Sequence, residues 1–255
     1  MAFDLSSIAK SGENHLPPRL VIYGSHGIGK TTFASSAKSP IFIPTEDGLA
    51  GVNVNAFPLA TSFQDVVDAL KAIGTTNDYK TIVIDSVDWL ETLIWNHTCD
   101  EHGKSSIEDF GYGKGYVLAL KHWRSLLKTL DYFRSEHKMT VILLAHSEIK
   151  RYDTPDSESY DRYTIKLHKA SSALIQEWAD VVGFANWKVV TKQSDTGFGN
   201  KRTRGIGTGE RLLHLEEKPS HVAKSRYKLP EVITLDWASF SMELGNSFNN
   251  NNTEV

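Results

Sequence analysis

The chain has a single cysteine, Cys99, among its 255 residues. A disulfide within the chain is therefore excluded, and such a composition is typical of proteins from a reducing compartment. The sequence also has no apolar run of about 18 residues, the length that a membrane-spanning helix needs. Its opening, MAFDLSSIAK, lacks the basic start and apolar run of a signal peptide. We therefore expect a cytoplasmic protein with no membrane partner.

An excess of charge of one sign is also absent. The chain has 28 lysines and arginines against 31 aspartates and glutamates, a formal net charge of −3 and a pI of about 6.4. This balance gives no global attraction to nucleic acid, so any such contact must come from local basic patches. The 40% of hydrophobic residues is ordinary for a globular protein with a sizeable core.

Short apolar runs alternate with helical patterns along most of the chain. Helices are predicted at 29–37, 63–73, 89–99, 116–137 and 171–179, and strands at 19–23, 41–44, 81–84, 140–145, 181–190, 211–216 and 231–235. Because strands that alternate with helices form parallel sheets, the pattern predicts an α/β fold with a mostly parallel central sheet flanked by helices. The later strands predict a C-terminal antiparallel extension.

The composition divides the chain into three parts. Residues 1–18 are polar and end in Pro17-Pro18, which predicts an N-terminal arm. Residues 19–240 form the predicted folded core. Residues 241–255 end in SFNNNNTEV and are expected to be a disordered polar tail. Within the core, glycine-rich 101–115 and polar 147–164 are read as loops, the second long and mobile.

The segment 24–31 (GSHGIGKT) fits the phosphate-binding pattern G-x-x-x-x-G-K-[ST] at every fixed position and lies between a predicted strand and a predicted helix. Backbone amides of such a loop surround phosphate oxygens, while Lys30 reaches the β- and γ-phosphates and Thr31 binds Mg²⁺. No base-reading motif separates ATP from GTP, and ATP is assumed. The predicted nucleotide-binding residues are Gly24, Ser25, His26, Gly27, Ile28, Gly29, Lys30, Thr31 and Thr32.

Three further polar residues follow predicted strands. Asp85 ends TIVID, the Walker B pattern, and is predicted to hold Mg²⁺ with Thr31, although a helix-capping role remains an alternative. Glu46 follows the second strand and could activate water, with Asp47 beside it as a competitor. His146 ends the fourth strand and could sense the γ-phosphate or be structural.

Four segments, taken with the phosphate loop, resemble the RecA-superfamily core, most closely the short phage-encoded single-strand annealing ATPases. They are 41–48 (IFIPTEDG), 84–86 (IDS), 141–146 (VILLAH) and 222–230 (VAKSRYKLP), within a resemblance that covers 19–240. The resemblance implies a RecA-like fold and assigns Glu46 as catalytic glutamate. It places His146 where the family usually has a glutamine sensor.

The resemblance also implies how copies of the chain assemble. Lys224 and Arg226 match two basic residues that reach the nucleotide of a neighbouring subunit, so a homo-oligomer, ring or filament, with nucleotide at its interfaces is expected. The segment that begins at Phe3 loosely resembles a subunit tether, although a frayed terminus is the alternative. Because the separate terminal domains of full RecA are missing, autonomous strand exchange is not expected.

By the same resemblance, 101–115 and 147–166 correspond to DNA-binding loops, and the turn at 201–204 offers a further basic patch. Charged side chains and rings can track a phosphate backbone and stack on bases, but a solvated polar loop would look similar. The candidate DNA-binding residues are Lys104, Phe110, Tyr112, Lys114, Lys150, Arg151, Arg162, Lys166, Lys201, Arg202 and Arg204.

The phosphate loop predicts a nucleotide-hydrolysing protein, and the resemblance implies an ATPase that depends on single-stranded DNA and promotes annealing or recombination. A single-stranded-DNA-binding protein is an expected partner, and the host-cell cytoplasm of a bacterium the expected location if a phage encodes the chain. The alternatives are a hexameric helicase or translocase motor, a nucleotide-gated binding protein with slow turnover, and a small-molecule kinase, for which no lid motif is visible.

Overall fold

The computed structural model describes residues 16–154, 157–195 and 201–250, without the side chains of 157, 189–195, 201–208 and 250. The strands are β1 (Arg19–Gly24), β2 (Pro40–Pro44), β3 (Asn55–Ala56), β4 (Thr81–Asp85), β5 (Thr140–Thr154), β6 (Ser157–Ile165), β7 (Val181–Asp195), β8 (Lys201–His214), β9 (Lys224–Ser225) and β10 (Val232–Thr234). The helices are α1 (Lys30–Ser35), α2 (Phe63–Ile73), α3 (Val87–His102), α4 (Lys114–Ser135), α5 (Lys169–Trp178) and α6 (Trp237–Asn250), with a 3-10 helix at Ile107–Phe110.

The central sheet has the strand order β10-β8-β7-β1-β5-β4-β2-β3. Strands β7, β1, β5, β4, β2 and β3 run parallel to one another, and β8 and β10 continue the sheet in antiparallel fashion. The predicted parallel sheet with a C-terminal antiparallel extension is therefore confirmed. Strand β5 lies between β1 and β4, so His146 is placed between the phosphate loop and the Walker B aspartate.

Helices cover both faces of the sheet. Val21 and Tyr23 of β1 belong to one buried cluster, which includes apolar side chains of α2, α3, α4 and α5. Leu20 and Ile22 point to the other face, where they pack with apolar residues of α1 and α6. Because both sets are buried, the strands read as continuous apolar runs rather than alternating ones.

The segment 147–164 is a β-hairpin, so the predicted mobile loop is wrong. Strand β5 continues past His146 as far as Thr154 and pairs with β6, with Ser147 opposite Ile165 and Tyr152 opposite Tyr160. The prediction rested on the many polar residues of the segment. Its β-branched and aromatic residues, which favour extended backbone, were given too little weight. The second predicted DNA-binding segment therefore lies on an ordered ladder that begins directly at the end of the sheet.

Residues 241–250 also differ from the expected disordered tail. They belong to α6, whose Phe240 and Leu244 are buried against the sheet, as is Ser247. Their spacing puts these side chains on one face of a helix. The asparagine-rich end of the chain made this helical pattern hard to recognise in the sequence. Residues 251–255 and the segment from Phe3 to Ser6 lie outside the described residues.

Candidate functional site

The phosphate loop connects the end of β1 to the start of α1, as its sequence predicts. Lys30 is buried, and its Nζ donates hydrogen bonds to the carbonyl oxygens of Gly24 and Ser25, at 3.1 and 3.0 Å. Burial lowers the pKa of Lys30, while the nearby carboxylates of Asp85 and Glu46 oppose that effect. The ammonium group is thus held inside the loop, where it can meet phosphate oxygens.

Glycine is required at two positions of this loop. Gly29 has φ of 108°, a backbone conformation that residues with a Cβ rarely adopt. At Gly24 a Cβ would lie 2.3 Å from the carbonyl oxygen of Ala185 on the neighbouring β7. The fixed glycines of the motif therefore follow from the turn and from close strand packing in this chain.

The predicted metal ligands lie side by side. Thr31 Oγ1 donates to Asp85 Oδ2 at 2.8 Å. Burial raises the pKa of Asp85, although the hydrogen bond from Thr31 and the charge of Lys30 act in the opposite direction. A hydroxyl and a carboxylate are oxygen donors of the kind that Mg²⁺ prefers, so these residues fit a magnesium ion that would also contact phosphate.

Glu46 is held beside this pair by the backbone. The amides of Thr45 and Glu46 both donate to the carbonyl oxygen of Asp85, at 2.7 and 3.4 Å, and this ties the end of β2 to the end of β4. The Glu46 side chain is only 18% exposed, and burial raises its pKa. Its neighbour Asp47 is exposed to solvent. Of the two carboxylates that compete for the role of base, Glu46 is the one inside the site.

His146 contacts both the candidate base and an aspartate that the sequence analysis did not single out. Its Nε2 lies 3.7 Å from Glu46 Oε1, and its Nδ1 is 2.9 Å from Asp88 Oδ2. The backbone amide of His146 donates to Asp88 Oδ1 at 3.0 Å, and the ring stacks on that of His26 with centroids 3.7 Å apart. Asp88 therefore fixes both the backbone and the ring of His146.

Asp88 lies in the first turn of α3, three residues after the Walker B aspartate. Burial alone would raise its pKa, but the hydrogen bonds from His146 outweigh that effect and the pKa is lowered. The carboxylate is therefore charged at neutral pH and orients the imidazole. The sequence shows that Asp88 follows Asp85 closely. It does not show that Asp88 contacts His146, which is 58 residues away in the chain.

Arg211 is a second residue that sequence reasoning missed. It lies on β8, and its Nη1 is only 2.8 Å from the point where a Cβ of Gly29 would be. Its guanidinium also lies over the ring of Trp187, 5.2 Å from the ring centroid. Among residues with described side chains, no carboxylate pairs with it. A cation thus lies against the phosphate loop, and only the fold of the antiparallel extension brings it there.

Lys224 and Arg226 lie at the opposite edge of the sheet from the phosphate loop. Lys224 Nζ donates to the carbonyl oxygens of Gln176 and Ala179, and Arg226 Nη1 pairs with Asp180 Oδ1 at 2.8 Å. The strand pairing puts Lys224 level with Val21 of β1 and Arg226 near the level of Arg19, which is roughly 10–17 Å from Gly24 along the strand at about 3.3 Å per residue. Neither residue can act on that nucleotide, so a contact would require a second subunit.

The two predicted DNA-binding segments meet through a row of rings. Tyr116, just after the first segment, stacks on His168, just after the second, with centroids 4.1 Å apart. Trp95 packs edge-on against Tyr116, with centroids 5.3 Å apart. A cleft of about 450 Å³ lies beside this row, and its lining includes Asp88, the exposed Trp89 and Lys166. The cleft is therefore lined in part by Asp88, the residue that orients His146.

The candidate DNA-binding residues differ in their availability. Exposed residues are Lys104, Tyr112, Lys114, Lys150, Arg151 and Lys166, whereas Phe110 is partly buried against His102. Arg162 is buried, pairs with Glu217 at 2.7 Å and lies over the Tyr152 ring, so it has no free face for DNA. The side chains of Lys201, Arg202 and Arg204 lie outside the described residues, although their backbone forms part of β8.

A parallel sheet with a phosphate loop on β1 and a Walker B aspartate on β4 defines a P-loop nucleoside triphosphatase. The chain belongs to the AAA domain family, which it matches over residues 16–227. The predictions of a P-loop ATPase family and of an α/β core of that type are therefore confirmed. Across the described residues, no helix is long and apolar enough to cross a membrane.

Two individual proteins are similar to the chain. The SPbeta prophage-derived uncharacterized protein YorG of Bacillus subtilis (strain 168) is 27% identical over 161 residues, which span 58% of this chain and 47% of that protein. The chain thus aligns with about half the length of that curated relative. The crystal structure of the RadB recombinase is similar with a TM-score of 0.45 and 14% identity, over 82% of this chain and 86% of that one.

Proposed function

We propose that the protein hydrolyses ATP in a magnesium-dependent reaction at the carboxyl edge of its parallel sheet. The observation that carries this proposal is the convergence of four groups there: buried Lys30, the Thr31–Asp85 pair, half-buried Glu46 and His146. Each comes from the end of a different strand or from the phosphate loop. A lone phosphate loop would support nucleotide binding, but the added carboxylate beside it supports hydrolysis.

The residues divide the work of the reaction. Lys30 and the loop amides hold the β- and γ-phosphates, and Mg²⁺, when bound by Thr31 and Asp85, neutralises charge that develops on the phosphate oxygens. Glu46 orients the attacking water and accepts its proton. His146 hydrogen-bonds the γ-phosphate. Because His146 is followed at once by the β5–β6 hairpin, loss of that phosphate is transmitted to the hairpin.

Glu46→Gln tests the proposed base, and Asp47→Asn is its matched control. We expect Glu46→Gln to lower kcat by about 10²–10⁴-fold with little change in nucleotide affinity, and Asp47→Asn to leave kcat within about twofold. Single-turnover hydrolysis and equilibrium nucleotide binding separate the two effects. Equal rates for Glu46→Gln and the unmodified protein would exclude Glu46 as the base.

The pH dependence of the same reaction gives a second readout. A base must be deprotonated to act, and burial raises the pKa of Glu46 above the ordinary glutamate value of about 4.3. Activity is therefore lost as the pH falls through this raised pKa, so the acidic limb of the rate profile lies at a higher pH than an ordinary glutamate would give. The remaining activity of Glu46→Gln should lack that limb.

We further propose that single-stranded DNA stimulates this hydrolysis and that the protein serves recombination or annealing. Exposed Lys104, Tyr112 and Lys114 and the base of the β5–β6 hairpin supply charge and a stacking ring, and the row of rings joins them to the Trp89 cleft. This route ends at Asp88 and His146. DNA bound along it would therefore act on the γ-phosphate sensor.

Assembly into a homo-oligomer belongs to the same proposal. Lys224 and Arg226 reach no nucleotide in their own chain, and their ties to backbone carbonyls and Asp180 leave the Arg226 side chain 45% exposed. A neighbouring phosphate site could recruit that guanidinium. The similarity to a prophage-derived protein supports a phage-encoded protein that acts in the cytoplasm of a bacterial host. A single-stranded-DNA-binding partner stays a prediction.

A further inference from the structure

Two histidines and a glutamate lie together where α3 packs against α4. His97 and Glu101 are four residues apart on α3 and therefore share one face of the helix, and His122 meets them from α4. Glu101 Oε1 is 3.5 Å from His97 Nε2, and Glu101 Oε2 is 3.0 Å from His122 Nε2. One potential ligand atom from each residue lies within 4.8 Å of the others.

These separations are short enough for all three residues to reach one small ion. An ion bound tetrahedrally at about 2.0–2.1 Å from each donor holds neighbouring donors about 3.3 Å apart. Both Nε2 atoms face the Glu101 carboxylate, and the two imidazole rings lie 4.7 Å apart at 82°. Phe63 of α2 packs against both rings, at 5.3 and 5.7 Å, and limits their rotation. The donors are therefore largely pre-positioned.

The chemistry of the cluster selects the class of ion. Two neutral imidazole nitrogens and one carboxylate oxygen suit Zn²⁺ and neighbouring transition metals, whereas Mg²⁺ and Ca²⁺ prefer oxygen donors alone. Glu101 is 40% exposed, which leaves an open side for a water ligand and for entry of the ion.

We propose that His97, Glu101 and His122 form a binding site for one divalent transition-metal ion, of which Zn²⁺ fits best. The site joins the last turn of α3 to α4 at the base of the segment 103–113, which displays Tyr112. A bound ion fixes that base and reduces the motion of the segment. This role is separate from nucleotide hydrolysis, since none of the three residues contacts the phosphate loop or its partners.

Calorimetric titration of the metal-free full chain with ZnCl₂, in the absence of nucleotide, tests the site. We expect about one equivalent bound, a higher melting temperature, and slower amide hydrogen exchange over 103–113. His97→Gln and His122→Gln should each weaken binding by on the order of 100-fold or more, because changing even an outer partner of a ligand costs 10–100-fold. If the His122→Gln variant does not fold, the Zn²⁺ affinities of His97→Gln and Glu101→Gln test the site instead.

Two control variants separate this site from other histidines. His102→Gln changes a residue of the same helix whose Nδ1 is already 2.9 Å from the Thr98 carbonyl oxygen, and binding should persist. His146→Gln removes the histidine of the nucleotide site, and binding should again persist. Absence of Zn²⁺ binding, binding that survives both His97→Gln and His122→Gln, or loss only in His146→Gln would each overturn the proposal.

Discussion

The guanidinium of Arg211 lies against the phosphate loop at Gly29 and over the ring of Trp187. Gly29 is thus needed for two reasons: its positive φ, and the space that Arg211 takes. Arginine binds phosphate oxygens through a planar fork of donors, and a face packed on an indole holds that fork in place. We infer that Arg211 contacts the phosphates of the nucleotide bound by its own chain.

Arg211→Ala should weaken nucleotide binding by about 10–100-fold, because hydrogen bonds to charged groups contribute about 1.5–3 kcal/mol. Arg124→Ala is the matched control, since Arg124 is exposed on α4, away from the phosphate loop. Equilibrium binding of a fluorescent ATP analogue with Mg²⁺ measures both. If the two variants bind equally well, Arg211 does not contribute to the site.

At this scale the sequence predicts the local part of the site. Lys30, Thr31 and Asp85 follow from motif spacing, and the structure brings Thr31 and Asp85 together. Motif spacing left Asp47 as a competitor of Glu46, and the family resemblance favoured Glu46. The physical reason is the backbone contact of Glu46 with Asp85, which joins residues far apart in sequence. Asp88 and Arg211 were missed for the same reason, since each meets its partner only through the strand order.

At the scale of elements, the segment 103–113 holds Tyr112 in an unusual position. The Tyr112 side chain is fully exposed, and three successive residues, Gly111, Tyr112 and Gly113, have positive φ. Only glycine adopts such backbone readily, and a bulky residue there is uncommon. Two glycines thus shape a tip that projects the ring into solvent, where it could stack on a base.

Tyr112→Ala should reduce affinity for single-stranded DNA by roughly 5–100-fold, since one base stacked on an aromatic side chain contributes about 1–3 kcal/mol. Tyr132→Ala is the control, because Tyr132 is also exposed but lies at the other end of α4. Fluorescence anisotropy with a labelled oligonucleotide compares them at one salt concentration. An unchanged affinity for Tyr112→Ala would remove this ring from the proposed DNA surface.

The errors of the sequence analysis at this scale have a common physical origin. The β5–β6 hairpin and α6 are both rich in polar residues, and their stability comes from contacts with the rest of the fold. The backbone of Tyr163 in β6 exchanges hydrogen bonds with Ser220 and Val222, and Phe240 of α6 packs edge-on against Phe33 of α1. Tertiary packing thus overrides weak local preference in both elements. The buried parallel strands, by contrast, were apolar enough to be recognised directly.

At the scale of the whole molecule, Lys224 and Arg226 are the residues proposed to act between subunits of a homo-oligomer. They lie at the amino edge of the sheet. There the buried carboxylate of Asp180 forms ion pairs with three arginines, Arg19, Arg134 and Arg226. Removing Arg226 leaves Asp180 paired with the other two. Arg226→Ala should therefore preserve the fold while it removes the group proposed to act on a neighbouring subunit's nucleotide.

Mixing Lys30→Ala protein with Arg226→Ala protein tests this role. Each variant alone should be nearly inactive in ATP hydrolysis, and mixtures should regain part of the activity because some interfaces then combine an intact phosphate site with an intact Arg226. Light scattering at the same concentrations reports the assembly. No recovery at any ratio, although the proteins assemble, would contradict action between subunits.

The most direct test of the central claim is steady-state ATP hydrolysis with and without single-stranded DNA, with Lys30→Ala as the blank. The account predicts magnesium-dependent hydrolysis above the blank that rises several-fold with single-stranded DNA, and a rise that is smaller in Tyr112→Ala. A hydrolysis rate that does not change with nucleic acid would support the P-loop site but contradict the proposed DNA surface. Activity equal to that of Lys30→Ala under all conditions would contradict the proposed ATPase itself.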